Sequence, residues 1–301
     1  MRPVATRISV GAAMIVGVGA ILAADVPLSA WAGRPLQPGF WAILTGCLLV
    51  GGWEFFRMLR RSGRPCRPVH GLIFIGLFVA AAWSESNLGG LSEWLHARQL
   101  ELYLLLVMGL VFVTFLAEVG QVERGKDLPT ALVSVAYTVL VVLTVGLLGV
   151  FLAKVRCLSA DPVEGLLYLV LTLAVVKVSD IGAYAVGTAV GRRPLVPRIS
   201  PRKTVEGLVG GLAAGIGTAV AIGLAWGRFG LGAMLLFGAA VSVSSVLGDL
   251  AESMMKRACG VKDSGSIPGF GGLLDILDSM LAAGPVAYLM LVLLTGPPQT
   301  P

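Results

Sequence analysis

The sequence predicts an all-α fold: a polytopic membrane protein with about nine transmembrane helices. Three observations carry this. The 301 residues are 56% hydrophobic with only 13% charged, about half the charge of an ordinary soluble domain. Mean hydropathy is +0.87. The apolar residues fall in repeated runs, each near the ~20 residues needed to cross a hydrocarbon core.

The first run, Ile8 to about Ala24, follows Arg2 and Arg7. A basic start and an apolar core also describe a secretory signal peptide. No small-x-small cleavage pattern follows, so the run is read as a first, rather short, membrane helix. Further spans are expected at Phe40–Trp53, Val69–Trp83, Leu100–Ala117, Thr130–Ala153, Gly165–Val190, Leu208–Trp226, Phe229–Leu247 and Ser279–Leu294.

Loop charge gives an independent check on the count. With the N-terminus inside, one set of loops holds Arg57, Arg60, Arg61, Arg64, Arg67, Arg124, Lys126, Arg192, Arg193, Arg198, Arg202, Lys203, Lys256, Arg257 and Lys262. The other set holds Arg34, Arg98, Lys154, Arg156 and Arg228. The bias alternates in register with the spans, as the positive-inside rule requires. The net charge of +6 is therefore read as a topology signal and not as nucleic-acid binding. An integral protein of the cell (inner) membrane is expected, with its N-terminus and its charged motifs facing the cytoplasm. Residues 1–160 and 161–301 are read as two groups of membrane helices within one integral unit, the second carrying the motifs.

Cys47, Cys66, Cys157 and Cys259 form no CxxC pair and imply no disulfide framework. His70 and His96 stand alone. Arg57–Arg67 suits anionic headgroups and equally suits a topology determinant. Glu54 ends an apolar run beside aromatic residues; it is read either as an acid serving a site or as an interfacial helix-end residue.

Gly165–Val190 is apolar yet carries Lys177, Asp180 and Tyr184. Ionisable groups inside a span are costly and usually face a polar cavity or a partner. Asp180 and Tyr184 share one helical face, which Gly187 and Gly191 continue. An internal Lys177–Asp180 pair is the plainer alternative. In GRRPLVPRISPRKTVEGLVGG, Ser200-Pro201 reads as a helix start, with Ser200 as N-cap. Arg202, Lys203 and Thr204 would then occupy the first turn, where cations oppose the helix dipole unless an anion binds. The stretch fits a phosphate cradle or a basic topology loop. Gly207, Gly211 and Gly215 form a face for close helix packing.

Charge is densest in LGDLAESMMKRACGVKDSGSIPGFGGLLDILDS, Leu247 to Ser279. If the preceding helix continues, Asp249, Glu252, Ser253 and Lys256 lie on one face. Asp275 and Asp278 stand at i and i+3 where the last span begins. Carboxylates converging with lysines and an arginine suit Mg²⁺ and a polyphosphate; cytoplasmic ion pairs between helix ends suit them as well. No Walker A pattern occurs.

These residues carry a resemblance. Ser200-Pro201-Arg202-Lys203-Thr204-Val205-Glu206-Gly207 resembles the S-P-x-K-T-x-E-G element of the CDP-diacylglycerol synthases, also called phosphatidate cytidylyltransferases. Asp180 with Ala183-Tyr184 and Gly187 looks like the element that precedes it. Gly248-Asp249-Leu250-x-Glu252-Ser253, Lys256-Arg257 and Lys262-Asp263-x-Gly265 are similar to the S-x-x-K-R-x4-K-D-x-G signature. Pro268, Gly271-Gly272, Asp275 and Asp278 continue it.

The resemblance implies a Mg²⁺-dependent reaction of CTP with phosphatidate, giving CDP-diacylglycerol and pyrophosphate, by a homodimer in the bilayer. It implies that Asp249 and Asp263 hold the metal, with a second cation allowed. Lys256, Arg257 and Lys262 would neutralise phosphates. Ser200, Lys203 and Thr204 would bind a phosphate group. Asp180, Tyr184, Glu206, Glu252, Ser253, Gly265, Asp275 and Asp278 complete the implied substrate-binding set. Three departures cluster: Phe270 stands where the family usually has His, Ile276 where it has Arg, and the loop between Gly265 and Pro268 is one residue short. They leave room for a catalytically weakened relative that binds lipid or nucleotide. A transporter is the remaining alternative.

Overall fold

The computed structural model describes residues 4–32, 37–87, 98–265 and 271–296. Among them run nine helices and one small hairpin. The helices are α1 (Val4–Ala32), α2 (Pro38–Arg61), α3 (Pro68–Asn87), α4 (Gln99–Val122), α5 (Leu128–Arg156), α6 (Pro162–Val190), α7 (Val205–Trp226), α8 (Leu231–Ala258) and α9 (Leu274–Thr295). Strands β1 (Pro194–Val196) and β2 (Ser200–Thr204) lie between α6 and α7. Helix α5 contains a π-helical stretch, Val142–Leu147. The eight helices α2–α9 are long and apolar enough to cross a membrane.

Each helix outruns the apolar segment that foretells it. Apolarity ends where water and headgroups begin, but backbone hydrogen bonding continues into that zone. Thus α2 runs on through Glu54 to Arg61, and α8 runs past Asp249 to Ala258. Helix starts carry local signals. Asp127 accepts the Thr130 N–H at 2.9 Å and Asp161 accepts the Val163 N–H at 2.9 Å, each just ahead of a proline in the first turn.

Polar contacts gather at the two ends of the bundle, as alternating spans require. At one end Arg67 and Lys126 pair with Glu118, at 2.7 and 2.5 Å. There Arg64 reaches Tyr137 and the Ala258 carbonyl, and Arg257 Nε donates to Ile199 O at 3.2 Å. The four basic loops are thereby tied together. At the opposite end Lys154 pairs with Glu85 at 2.9 Å, Arg228 with Glu164 at 2.6 Å, and Asp25 accepts the Gly39 and Phe40 N–H groups.

One continuous apolar core includes Leu48 and Phe56 of α2, Phe78 of α3, Val145 of α5, Val175 of α6, Phe237 of α8 and Leu281 of α9. Gly207, Gly211 and Gly215 of α7 are buried. A Cβ at Gly211 would come within 2.9 Å of the Ser179 carbonyl of α6, so only glycine allows that approach.

The hairpin corrects one expectation. Ser200 is not an N-cap, and Arg202, Lys203 and Thr204 are not in a first helical turn. Ser200–Thr204 is a strand, paired antiparallel with Pro194–Val196. Thr204 is the N-cap, its Oγ1 accepting the Gly207 N–H at 3.1 Å. This arrangement keeps Arg202 and Lys203 out of the positive end of the dipole and puts Glu206 there instead.

Candidate functional site

At the basic end of the bundle a cavity of about 660 Å³ opens between α6, the hairpin, α7, α8 and α9. Helix α6 contributes Lys177, Asp180, Tyr184 and Gly187; β2 contributes Arg202, Lys203 and Thr204. Helix α8 contributes Asp249, and the first turns of α9 contribute Asp275, Asp278 and Ser279. Residues far apart in sequence thus meet because α6 and α7 pack closely through glycine while α8 and α9 cross beside them.

The cavity walls alternate in charge. Lys203 Nζ stands 2.6 Å from Asp249 Oδ2. Ser253 Oγ donates to Asp249 Oδ1 at 3.2 Å. Lys177 Nζ lies 3.8 Å from Asp180 Oδ2 and donates to Ile276 O at 3.0 Å. Asp278 accepts from its neighbour Ser279 through N–H (2.5 Å) and Oγ (3.0 Å). Gly187 keeps the wall low opposite Thr204: a Cβ there would lie 3.1 Å from Thr204 Oγ1.

Other expected site residues stand behind or beside this space. Lys256 is buried, and its ammonium sits between Glu252 and Asp275, the latter at 2.5 Å. It fastens α8 to α9 and does not line the cavity. Glu252 is its buried partner. Arg257 donates from Nε to Ile199 O and from Nη1 to Val261 O, both at 3.2 Å, tying the end of α8 to the hairpin. Lys262 and Asp263 are exposed in the loop after α8. Asp263 stands beside Gly271, 3.3 Å from where a Cβ of that residue would sit. Glu206 accepts the Arg192 and Arg193 N–H groups at 3.0 and 3.2 Å and closes the base of the hairpin. Ser200 begins β2, and it is not among the cavity-lining residues. Phe270 and the shortened segment 266–268 lie outside the described residues.

Asp275 has two sides. Oδ1 holds Lys256, while Oδ2 accepts the Ser264 N–H (2.9 Å), the Gly272 N–H (2.6 Å) and a contact from Ser264 Oγ (2.9 Å). Glu54, from α2, reaches the same loop. Its Oε2 accepts the Leu274 N–H at 2.8 Å and lies 3.1 Å from Ser264 Oγ. Ser264 has one hydroxyl proton, so the two carboxylates compete for it. Gly265 and Gly272 leave the room: a Cβ on Gly265 would come within 2.7 Å of Gly272 Cα. Glu54 is buried within α2 and anchors the start of α9, which differs from both roles read from its sequence position, because α2 continues past it to Arg61 and turns it inward. Glu54→Ala is expected to raise amide exchange at Leu274, whose N–H it leaves without an acceptor, at least tenfold, read by hydrogen–deuterium exchange mass spectrometry. A tenfold change corresponds to about 1.4 kcal/mol, within the cost of orphaning a buried donor. Unchanged exchange would show the loop is held without it.

The donor set of the cavity is compatible with a hard cation. Asp180, Asp249 and Asp278 offer carboxylate oxygens and no sulfur or imidazole. Among the described residues no group of three or more such side chains stands close enough to hold a metal alone.

Residues 5–294 match the family model described as the cytidylyltransferase family. A phosphatidate cytidylyltransferase of Mycobacterium leprae is 33% identical over 261 residues, covering 85% of this chain and 81% of that protein. One from Haemophilus influenzae is 32% identical, with 82% and 88% covered. One from Synechocystis is 46% identical over 133 residues, with 43% and 45% covered.

Proposed function

This chain belongs to the cytidylyltransferase family, and from that premise we propose that it converts CTP and phosphatidate to CDP-diacylglycerol and pyrophosphate in phospholipid synthesis. One observation carries the assignment of the site. Asp180, Lys203, Thr204, Asp249 and Asp278, from four separate elements, line a single cavity at the basic end of a membrane bundle.

A phosphatidate phosphate oxygen attacks the α-phosphorus of CTP. A new P–O bond forms there as the bond to the β-phosphate oxygen breaks, and pyrophosphate leaves. The attacking oxygen is already anionic near neutral pH, so the site needs positioning and charge neutralisation more than a strong base. Lys203 and Arg202 supply positive charge from the hairpin and Lys177 from α6. Thr204 Oγ1 accepts from Gly207, which leaves its own proton free to donate to a phosphate oxygen. Asp249 and Asp278, which line the cavity, would hold Mg²⁺; Asp263, the other acid that the resemblance implies for the metal, is exposed on the loop and is not among the lining residues. Mg²⁺ held there would supply charge neutralisation for the phosphates. The convergence of the basic loops supports a cytoplasmic face for this end and a cytoplasmic N-terminus.

A second reading, a relative that binds without turnover, is favoured by Ile276. It lends only its backbone carbonyl to Lys177, and its side chain has no hydrogen-bonding group. Purified protein in detergent with labelled CTP, phosphatidate and Mg²⁺ separates the two. CDP-diacylglycerol and pyrophosphate are expected in equal amounts. Product no greater than that of Asp263→Asn protein would sink the first reading. Activity appearing only in Phe270→His/Ile276→Arg protein would establish the second.

A further inference from the structure

Away from the catalytic cavity, α2 and the first residue of α3 enclose a hollow of about 290 Å³ lined by Trp53, Arg57, Arg60, Arg61 and Pro68. We propose that this hollow is a second anion site, which takes the phosphate group of an anionic membrane lipid.

Four of the five lining residues recur along α2 at the spacing of one helical face: Trp53, Arg57, Arg60 and Arg61. All four are exposed. The hollow contains no acid, and among the described residues none of the three arginines pairs with a carboxylate. This differs from the catalytic cavity, where Lys203 and Lys177 already face aspartates. Guanidinium groups match phosphate oxygens in a two-point fork, so an all-arginine lining suits a single phosphate without a metal.

Two plainer explanations cover only part of this. Arg60 and Arg61 are in the last turn of α2, where the helix dipole favours cations. Basic residues at this end also follow the positive-inside pattern. The second covers Arg57 as a charge, but neither accounts for Arg57 lining the same hollow as an exposed Trp53. The lipid source is argued from what lies next to it. Trp53 is 48% exposed, as an indole at a headgroup boundary would be. Away from the arginines, the same two helices expose Val50 on α2 and Ile73 and Leu77 on α3. An acyl chain attached to the bound phosphate would run along them.

The test reads Trp53 in the full chain. Protein is placed in phosphatidylcholine nanodiscs containing either brominated phosphatidylglycerol or brominated phosphatidylcholine. Quenching at Trp53 is obtained by subtracting the signal of Trp53→Phe protein. The anionic lipid is expected to quench more at equal content. Arg57→Gln/Arg60→Gln is expected to weaken that preference about thirtyfold, roughly fivefold for each basic residue lost near an anionic surface. Arg61, Arg64 and Arg67 remain in that variant to hold orientation. Arg192→Gln/Arg193→Gln removes equal charge from the same end, outside the hollow, and is expected to leave Trp53 unaffected. Equal quenching by the two lipids overturns the proposal, as does equal loss in the two double variants. Inorganic phosphate titrated into protein in nonionic detergent separates the sources. Binding that needs Arg57 and Arg60, without any lipid preference at Trp53, would reassign the hollow to free phosphate and overturn the lipid claim.

Discussion

Asp275→Ala is expected to abolish turnover and to lower stability by about 3–5 kcal/mol, the cost of removing one partner of a buried ion pair. Lys256 would keep Glu252 as its single acid, and the Ser264 and Gly272 N–H groups would lose their acceptor. Three things fail together: the α8–α9 clamp, the loop that carries Asp263, and the placement of Asp278 one turn further along α9. Asp275→Asn keeps the shape but not the function. Its oxygen can serve either Lys256 or the loop N–H groups, and its amide nitrogen then points a donor at donors. Thermal unfolding in detergent and the rate of CDP-diacylglycerol formation are the measurements. An Asn variant matching the unmodified protein in both would show that the carboxylate is not what holds these elements.

Lys203→Ala and Asp249→Ala are each expected to reduce kcat by about 10²–10³, the range for losing one preorganised electrostatic group. Their 2.6 Å pair raises the question whether they simply hold each other. Both side chains are partly exposed, and such pairs contribute at most about 1 kcal/mol to stability. If the pair were only a strut, each single change would cost little in rate and the double change little more. As parts of the site, both singles lose rate at nearly unchanged melting temperature. The double variant should recover nothing, because each group answers a different charge. Asp249→Ala should also require more Mg²⁺ for half-maximal rate, whereas Lys203→Ala should shift the KM for CTP or phosphatidate. Single and double variants that all keep nearly the full rate would assign the pair to structure alone.

Several features were legible from residue order because they depend on local chemistry. Apolar runs foretell the eight helices that are long and apolar enough to cross a membrane, one fewer than the nine spans expected. Asp180, Tyr184 and Gly187 do share a face of α6, and α8 does continue through Asp249 and Lys256. The start of α7 was misread because Ser200-Pro201 satisfies the local rule for a helix start. Pairing with Pro194–Val196 offered those residues another set of hydrogen bonds, and Thr204 capped the helix in their place.

Periodicity along a helix determines which side chains travel together; it does not say what that face meets. The sequence by itself determined a membrane bundle with basic loops on one side, and the spacing of acids and lysines matching a nucleotidyl-transfer family. Only the tertiary structure decided which of those charges face the cavity. It turned Lys256 inward between Glu252 and Asp275, left Lys203 and Asp249 at the opening, and brought Glu54 from α2 to the loop before α9. The reason is physical. A buried charge must find a partner, and which partner is within reach depends on how helices distant in sequence pack against one another.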